Sequence, residues 1–367
     1  VIQISLRSSA ILAAIALPTL AYAQQPPQPW HFAVSGDSRN CGDIIMPAIA
    51  RKVQAGDADF YWHLGDFRLG SDIDQDMLAA HGGKVSVADY QSHALLDFAN
   101  QQLAPFGSTP VFLGLGNHEM IAHTRAEVLL QLADWFDSPV IRAQRLADDP
   151  TDHTIHSYYH WREQNVDFIT LDNASAEMFD PAQMKWIQDL IKHDAADPAI
   201  RTIVVGMHEA FPDSITAGHS MNENPIETIT GRQVYAELLD FHKTTGKEVQ
   251  VIASHSHFVL ADPYNTSCRK PEDVLPGWIV GSAGAMRYAL PKSTAGSSFA
   301  QTDVYGFLIG AVDPDGHITF TFHDVQLSDV PAATRKLYGD DAVTQCFIAN
   351  RNSYQPDGPS CPIPEPK

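Results

Sequence analysis

Val111-Phe112-Leu113-Gly114-Leu115-Gly116-Asn117-His118-Glu119 is the stretch that decides how the rest of the chain is read. Its apolar start suits a buried strand, and the glycines that follow permit a sharp exit from it. Asn117-His118-Glu119 then stands at the strand end. Two upstream stretches repeat the design, Phe32-Ala33-Val34-Ser35-Gly36-Asp37 and Phe60-Tyr61-Trp62-His63-Leu64-Gly65-Asp66. Two more follow, Ile203-Val204-Val205-Gly206-Met207-His208 and Val251-Ile252-Ala253-Ser254-His255-Ser256-His257. Each apolar run delivers Asp, Asn or His to its end, which is how strands gather several metal ligands around one point.

The residue types fit a particular chemistry. Two divalent ions held about 4 Å apart need a bridging carboxylate with further nitrogen and oxygen ligands, and such a pair clamps a phosphoryl oxygen. Asp66 is the bridging candidate, Asn117 supplies a neutral oxygen and His208 an imidazole. His255 and His257 point the same way if their backbone is extended, so each reaches a different ion. His118, beside a ligand, is placed to protonate a leaving alkoxide, work suited to an imidazole near neutral pH.

Composition narrows the alternatives. The chain has 367 residues, enough to bury a sizeable core, and its 44% hydrophobic content excludes global disorder. A formal net charge of −20 argues against a nucleic-acid platform or an anionic-membrane binder, because both need basic surface. It does not exclude a phosphate substrate, since bound metal ions reverse the local field. Residues 1–23 read as a secretory signal: Arg7 is the only charge, Ile11 to Leu20 are apolar, and Ala21-Tyr22-Ala23 is a small-x-small cleavage site. No later segment reaches membrane-spanning length, so the expected product is exported, either periplasmic or secreted. In an oxidising compartment Cys41, Cys268, Cys346 and Cys361 permit three pairings. A Cys346–Cys361 staple of the Pro-rich tail and a Cys41–Cys268 link across the site are the pairs considered.

From residue 24 to about 330 strands alternate with helices, followed by a C-terminal extension, 331–367, with too little apolar periodicity for a separate domain. Helices are expected over Ile44 to Gln54, opened by Asp43 as N-cap, and over Asp89 to Gln102, Arg125 to Trp135, Pro181 to Ile191 and Gly231 to His242. Tyr158 to Trp161 with Val166 to Leu171, and Tyr305 to Val312 with His317 to Val325, read as hairpins. The class is α/β with mixed sheets. His63 reads as structural, His153, His156 and His160 read as a spaced cluster on a solvated loop and hairpin edge, and His219, in the polar loop after His208, is a candidate for the substrate pocket.

The ordered set Gly36-Asp37, Gly65-Asp66, Gly116-Asn117-His118-Glu119, His208 and Ser254-His255-Ser256-His257 resembles the calcineurin-like metallophosphoesterase family. That resemblance implies two packed mixed β-sheets flanked by helices in four layers, with a dimetal site at the strand ends. It implies phosphoric ester hydrolysis and two divalent or trivalent ions, zinc, manganese, iron or magnesium. One ion would take Asp37, Asp66 and His257, and the other Asp66, Asn117, His208 and His255, with His118 assisting the leaving group.

Two departures bear on the first ion. The family's Asp-x-His reads Asp37-Ser38-Arg39 here, and a guanidinium has no lone pair for a metal. The tyrosine that the purple acid phosphatase branch places three residues after the second Asp is Leu69. Either the first ion lacks a ligand, or Arg39 with Arg68 grips phosphate oxygens bidentately, or Arg39 forms a structural salt bridge. The alternative function is a catalytically degenerate protein that binds phosphate or metal on the same fold. An amidohydrolase-type site fails because its His-x-His belongs to the first strand, and the one here comes last.

Overall fold

The apolar runs before the polar turns become strands in a computed structural model of the protein, which describes residues 28–174, 179–222, 224–359 and 361. The expected signal sequence, residues 1–23, lies outside the described residues. Strands β1 (Trp30–Ser35), β2 (Tyr61–His63) and β3 (Val111–Leu113) run parallel. The hairpin β4 (Tyr159–Glu163) and β5 (Val166–Thr170) starts the second sheet. It continues with β6 (Thr202–Met207), β7 (Glu248–Ala253), β8 (Val259–Ala261), β9 (Gly277–Val280) and β10 (Ala300–Gln301). A closing hairpin, β11 (Tyr305–Val312) and β12 (Ile318–Val325), returns to the first. The orders are β12-β11-β1-β2-β3 and β10-β8-β9-β7-β6-β5-β4. Both sheets are mixed: β1 pairs antiparallel with β11 and parallel with β2, while β5, β6, β7 and β9 form a parallel block.

Large aromatics from the two sheets interleave in the core. Phe112 stacks on Trp161 at 3.9 Å, Trp161 on Phe168 at 5.2 Å, and Phe60 meets Phe168 edge-on at 5.1 Å. Trp62 crosses the gap so closely that a Cβ on Gly206 would lie 2.1 Å from its ring. Rings in such offset and edge-on pairs contribute about 1 kcal/mol each beyond their buried area. This aromatic layer fixes the distance between the sheets, and so the distance between ligands carried by β1, β2 and β3 on one side and β6 and β7 on the other.

Helix Gly42–Ala55 belongs to the same core, whereas Pro181–Ala196 and Pro225–Thr245 join a second cluster with Ile203, Val205, Val249 and Val251 on the opposite face of β6 and β7. Pro181–Ala196 begins where the sequence says it should. Pro181 fixes the first turn, Asp180 accepts from the Ala182 and Gln183 N–H groups, and Met184, Ile187, Leu190 and Ile191 are buried.

Several expectations are corrected. Asp43 is not the N-cap of Gly42–Ala55; Cys41 holds that position, and Asp43 turns inward to pair with Arg68. The stretch 89–102 is helical over Val87–Asp97 and then widens into a π-helix, Phe98–Leu103, that buries Gln102 against Asp43. The tail carries two short helices, Ala332–Tyr338 and Asp340–Ile348, whose Tyr338, Val343 and Cys346 join the main core. The disulfides are Cys41–Cys346 and Cys268–Cys361, neither of the pairs considered from spacing. Folding brings Cys41, at the foot of the first ligand loop, against the terminal helix. Among the described residues no helix is long and apolar enough to cross a membrane.

Candidate active site

Three expected ligands leave their strands through the same unusual backbone. Asp37, Asp66 and His255 each have φ of 61°. The left-handed region costs a non-glycine residue about 1–2 kcal/mol, least for short polar side chains. Here it turns the chain at the end of β1, β2 and β7 so that the side chains face one another. His255 and His257 therefore do not stand on an extended segment as expected. The chain reverses at His255, and the two imidazoles still reach different neighbours.

Glycine permits the close approach of the next turn. A Cβ on Gly116 would lie 2.3 Å from Asp66 Oδ1, and one on Gly65 would lie 2.3 Å from the Gly116 nitrogen. Glu119 ties these turns together. Its buried carboxylate accepts the N–H groups of Asp66 at 2.9 Å, Phe67 at 2.7 Å and Gly116 at 2.7 Å.

Asp66 Oδ1, Asn117 Oδ1, His208 and His255 form one pocket. The Nδ1 of His208 lies 3.0 Å from the Leu64 carbonyl, which can only accept, so Nδ1 carries a proton and Nε2 is the atom that faces the pocket. That Nε2 lies 3.0 Å from Asn117 Oδ1, 3.3 Å from Asp66 Oδ1 and 2.9 Å from His255 Nδ1. Burial, with His208 and His219 nearby, holds the His255 pKa well below its ordinary value. Asp66, His208 and His255 could offer an ion three atoms that lie within 4.8 Å of one another. These donor types suit a borderline divalent ion.

The second ligand group is Asp37, Asp66 and His257. His257 donates Nδ1–H to the Met286 carbonyl at 2.7 Å, which leaves its Nε2 lone pair 3.2 Å from Asp37 Oδ1. That carboxylate oxygen is buried without a hydrogen-bond partner, and burial pushes the Asp37 pKa up to about 7. Arg39 reaches into this group. Its Nε donates to Asp66 Oδ2 at 3.1 Å, and its Nη2 lies 3.1 Å from His257 Nε2. Burial works to raise the Asp66 pKa, yet His208, His118 and Arg39 hold it well below the carboxylate range.

His118 sits above Asp66, with its Nε2 3.9 Å from Asp66 Oδ2 and its side chain 13% exposed. Its Nδ1 donates to the Leu69 carbonyl, so Nε2 is the atom free for proton transfer. His219 also reaches the centre: its ring lies 4.6 Å from that of His255, and burial brings its pKa down to about 4. Two residues with no sequence signal complete this wall. Tyr288 stacks on His257 at 4.0 Å, and the Tyr354 hydroxyl lies 3.1 Å from His219 Nδ1.

Arg68 is not brought to the centre, contrary to the expectation of a phosphate clamp. Its buried guanidinium lies 2.8 Å from Asp43 and 3.5 Å from Asp74, and its Nε donates to the Ala94 carbonyl. His63 is buried, with the Gly65 N–H donating to its Nδ1 at 3.2 Å, and burial lowers its pKa to about 3. His156 pairs with Asp152, and His160 is not solvated as expected but buried between Asp148 and Asp167.

Two mixed sheets that hold such an Asp, Asn and His cluster at their strand ends define the class of the metal-dependent phosphoester hydrolases. The model of the calcineurin-like phosphoesterase family matches residues 31–258, and the chain belongs to that family as a metallophosphoesterase. Among solved structures it is similar to purple acid phosphatase PPD1 from yellow lupin (Lupinus luteus) seeds. The match has 16% identity and a TM-score of 0.56, and it covers 83% of this chain and 52% of the lupin chain. It is also similar to PhoD, at 12% identity and a TM-score of 0.50, over 88% of this chain and 78% of that one. Identities this low speak for the fold alone, and the chain spans about half the length of the lupin protein. No curated protein sequence matches it.

Proposed function

We propose that this chain hydrolyses phosphoric esters at a metal centre built on the two ligand groups that share Asp66. The observation that carries the reading is the pocket of Asp66, Asn117, His208 and His255, where imidazoles and oxygens converge with no lysine or arginine among the described residues between them. An ion bound there supplies charge neutralisation to the phosphoryl oxygens and activates the attacking water. In the dinuclear form that the family implies, a second ion would lie against Asp37, Asp66 and His257, where Arg39 also reaches.

The chain's own groups do the rest. His118, fixed through Leu69, hands a proton from Nε2 to the leaving alkoxide. Arg39 adds positive charge where phosphate oxygens gather, and His219, with Tyr288 and Tyr354, walls the pocket. Both cysteine pairs are bonded and none is free, which supports an exported chain in an oxidising compartment. A second reading, a binding protein that has lost turnover, draws its support from Arg39 inside a ligand group.

The test is hydrolysis of p-nitrophenyl phosphate and of its bis-ester by the manganese-loaded protein, with His118→Ala for comparison. Cleavage by the wild type that is slowed in the variant, least for these acidic leaving groups and most for an alkyl phosphate, supports the hydrolase. Metal retention with no cleavage of either ester by either protein supports the binding reading.

A further inference from the structure

We propose that Arg39 is a built-in cation that stands where the fold would otherwise place a second metal ion, so that the centre holds one ion, in the pocket of Asp66, Asn117, His208 and His255. The inference rests on the metal-dependent reading above and narrows it.

The two ligand groups resemble each other in one respect and differ in another. In both, a histidine proton is spent on a main-chain carbonyl, Leu64 for His208 and Met286 for His257, and the other ring nitrogen faces carboxylate oxygens. In the histidine-rich pocket no arginine or lysine among the described residues meets those nitrogens. In the other, the guanidinium already does. Arg39 Nε donates to Asp66 Oδ2 and Nη2 to His257 Nε2, both at 3.1 Å, and these are the two atoms a metal ion would use.

The guanidinium is held there. Arg39 is buried, and the Tyr288 ring stacks on the His257 that it meets. A guanidinium stays charged throughout the range in which the protein is folded, so no pH change empties the position. It has no lone pair, so it cannot join a metal's ligands, and an ion entering here would have to expel it and leave a buried positive charge unpaired. Leu69 offers no tyrosinate to compensate. The electrostatic result still suits an anionic ester: one divalent ion and one guanidinium outweigh the carboxylates of Asp37 and Asp66. The planar fork of Arg39 is also able to meet two phosphate oxygens in parallel once substrate arrives.

The experiment is a count of ions in the full chain. Protein stripped of metal is titrated with Mn²⁺, bound metal per chain is measured, and the electron paramagnetic resonance spectrum of the loaded protein is recorded. The wild type is expected to bind one ion per chain and give the spectrum of an isolated Mn²⁺. Arg39→His is expected to bind two and give a spin-coupled pair. Two coupled ions in the wild type would overturn the inference while leaving the metal-dependent reading intact. No bound ion in folded wild type would overturn both. Should Arg39→His fail to fold, the wild-type stoichiometry and spectrum decide the question alone.

Discussion

His208 Nε2 and His255 Nδ1 face each other across 2.9 Å. The Leu64 carbonyl holds a proton on the far nitrogen of His208, which turns Nε2 toward His255 and the pocket. The pair is held by strands β6 and β7, which the second sheet sets side by side in register, Met207 opposite Ala253.

His208→Ala removes one lone pair from the pocket while β6 stays in place. Metal affinity is expected to fall by more than the ~10–100-fold seen when only an outer hydrogen-bond partner is lost, and ester hydrolysis should vanish with it. Metal content after dialysis, beside turnover at saturating Mn²⁺, checks this. Unchanged metal content would remove His208 from the ligand set.

His118→Ala leaves every proposed ligand in place. Turnover is expected to drop about 10²–10⁴-fold with KM and metal content little altered. The loss should shrink for esters with acidic leaving groups, which need no proton. An equal loss for p-nitrophenyl and alkyl esters would argue against proton donation.

Glu119→Gln replaces an acceptor-only group by one that must turn an N–H₂ toward a backbone N–H. Three such donors, from Asp66, Phe67 and Gly116, converge on the carboxylate, so rotating the amide cannot satisfy them all. The expected cost is about 1–3 kcal/mol in urea unfolding, with weaker metal binding because the Asp66 turn loosens. Wild-type stability in the variant would show that the clasp is dispensable.

His160 provides a pH test away from the centre. Burial alone would lower its pKa, but hydrogen bonds to Asp148 and Asp167 raise it from 6.5 to about 9. The folded state thus keeps the proton longer than the unfolded chain. The associated stability, about 3 kcal/mol, is complete below pH 6.5 and is lost as pH rises through 9. The stability gap between wild type and His160→Gln, measured by denaturant titration, should narrow along that rise. A gap that widens with pH would reverse the assignment.

Strand ends were readable in the sequence because an apolar run followed by Gly-Asp or Gly-Asn-His is a local signal, and so were both hairpins. What escaped is nonlocal. Arg68 stands two residues after Asp66 and so looked like part of the pocket, but its partners Asp43 and Asp74 are placed by the fold. Tyr288 and Tyr354 carry no motif, and only folding sets them on His257 and His219. The left-handed turn at His255 is equally silent, since nothing in Ser254-His255-Ser256 demands it. The tail helices are too short for periodicity to reveal, and their burial comes from contact with Gly42–Ala55 for the first and with Gln75–Ala80 for both.

The Cys41–Cys346 bond joins residues 305 positions apart and encloses nearly the whole chain in one covalent ring. A protease that cuts any exposed loop inside that ring opens it without releasing a fragment. Asp37 and Arg39, just outside, stay tethered to the terminal helix and so to the rest of the centre. The protein can therefore be nicked between the two cysteines and still migrate as a single species until a reductant is added.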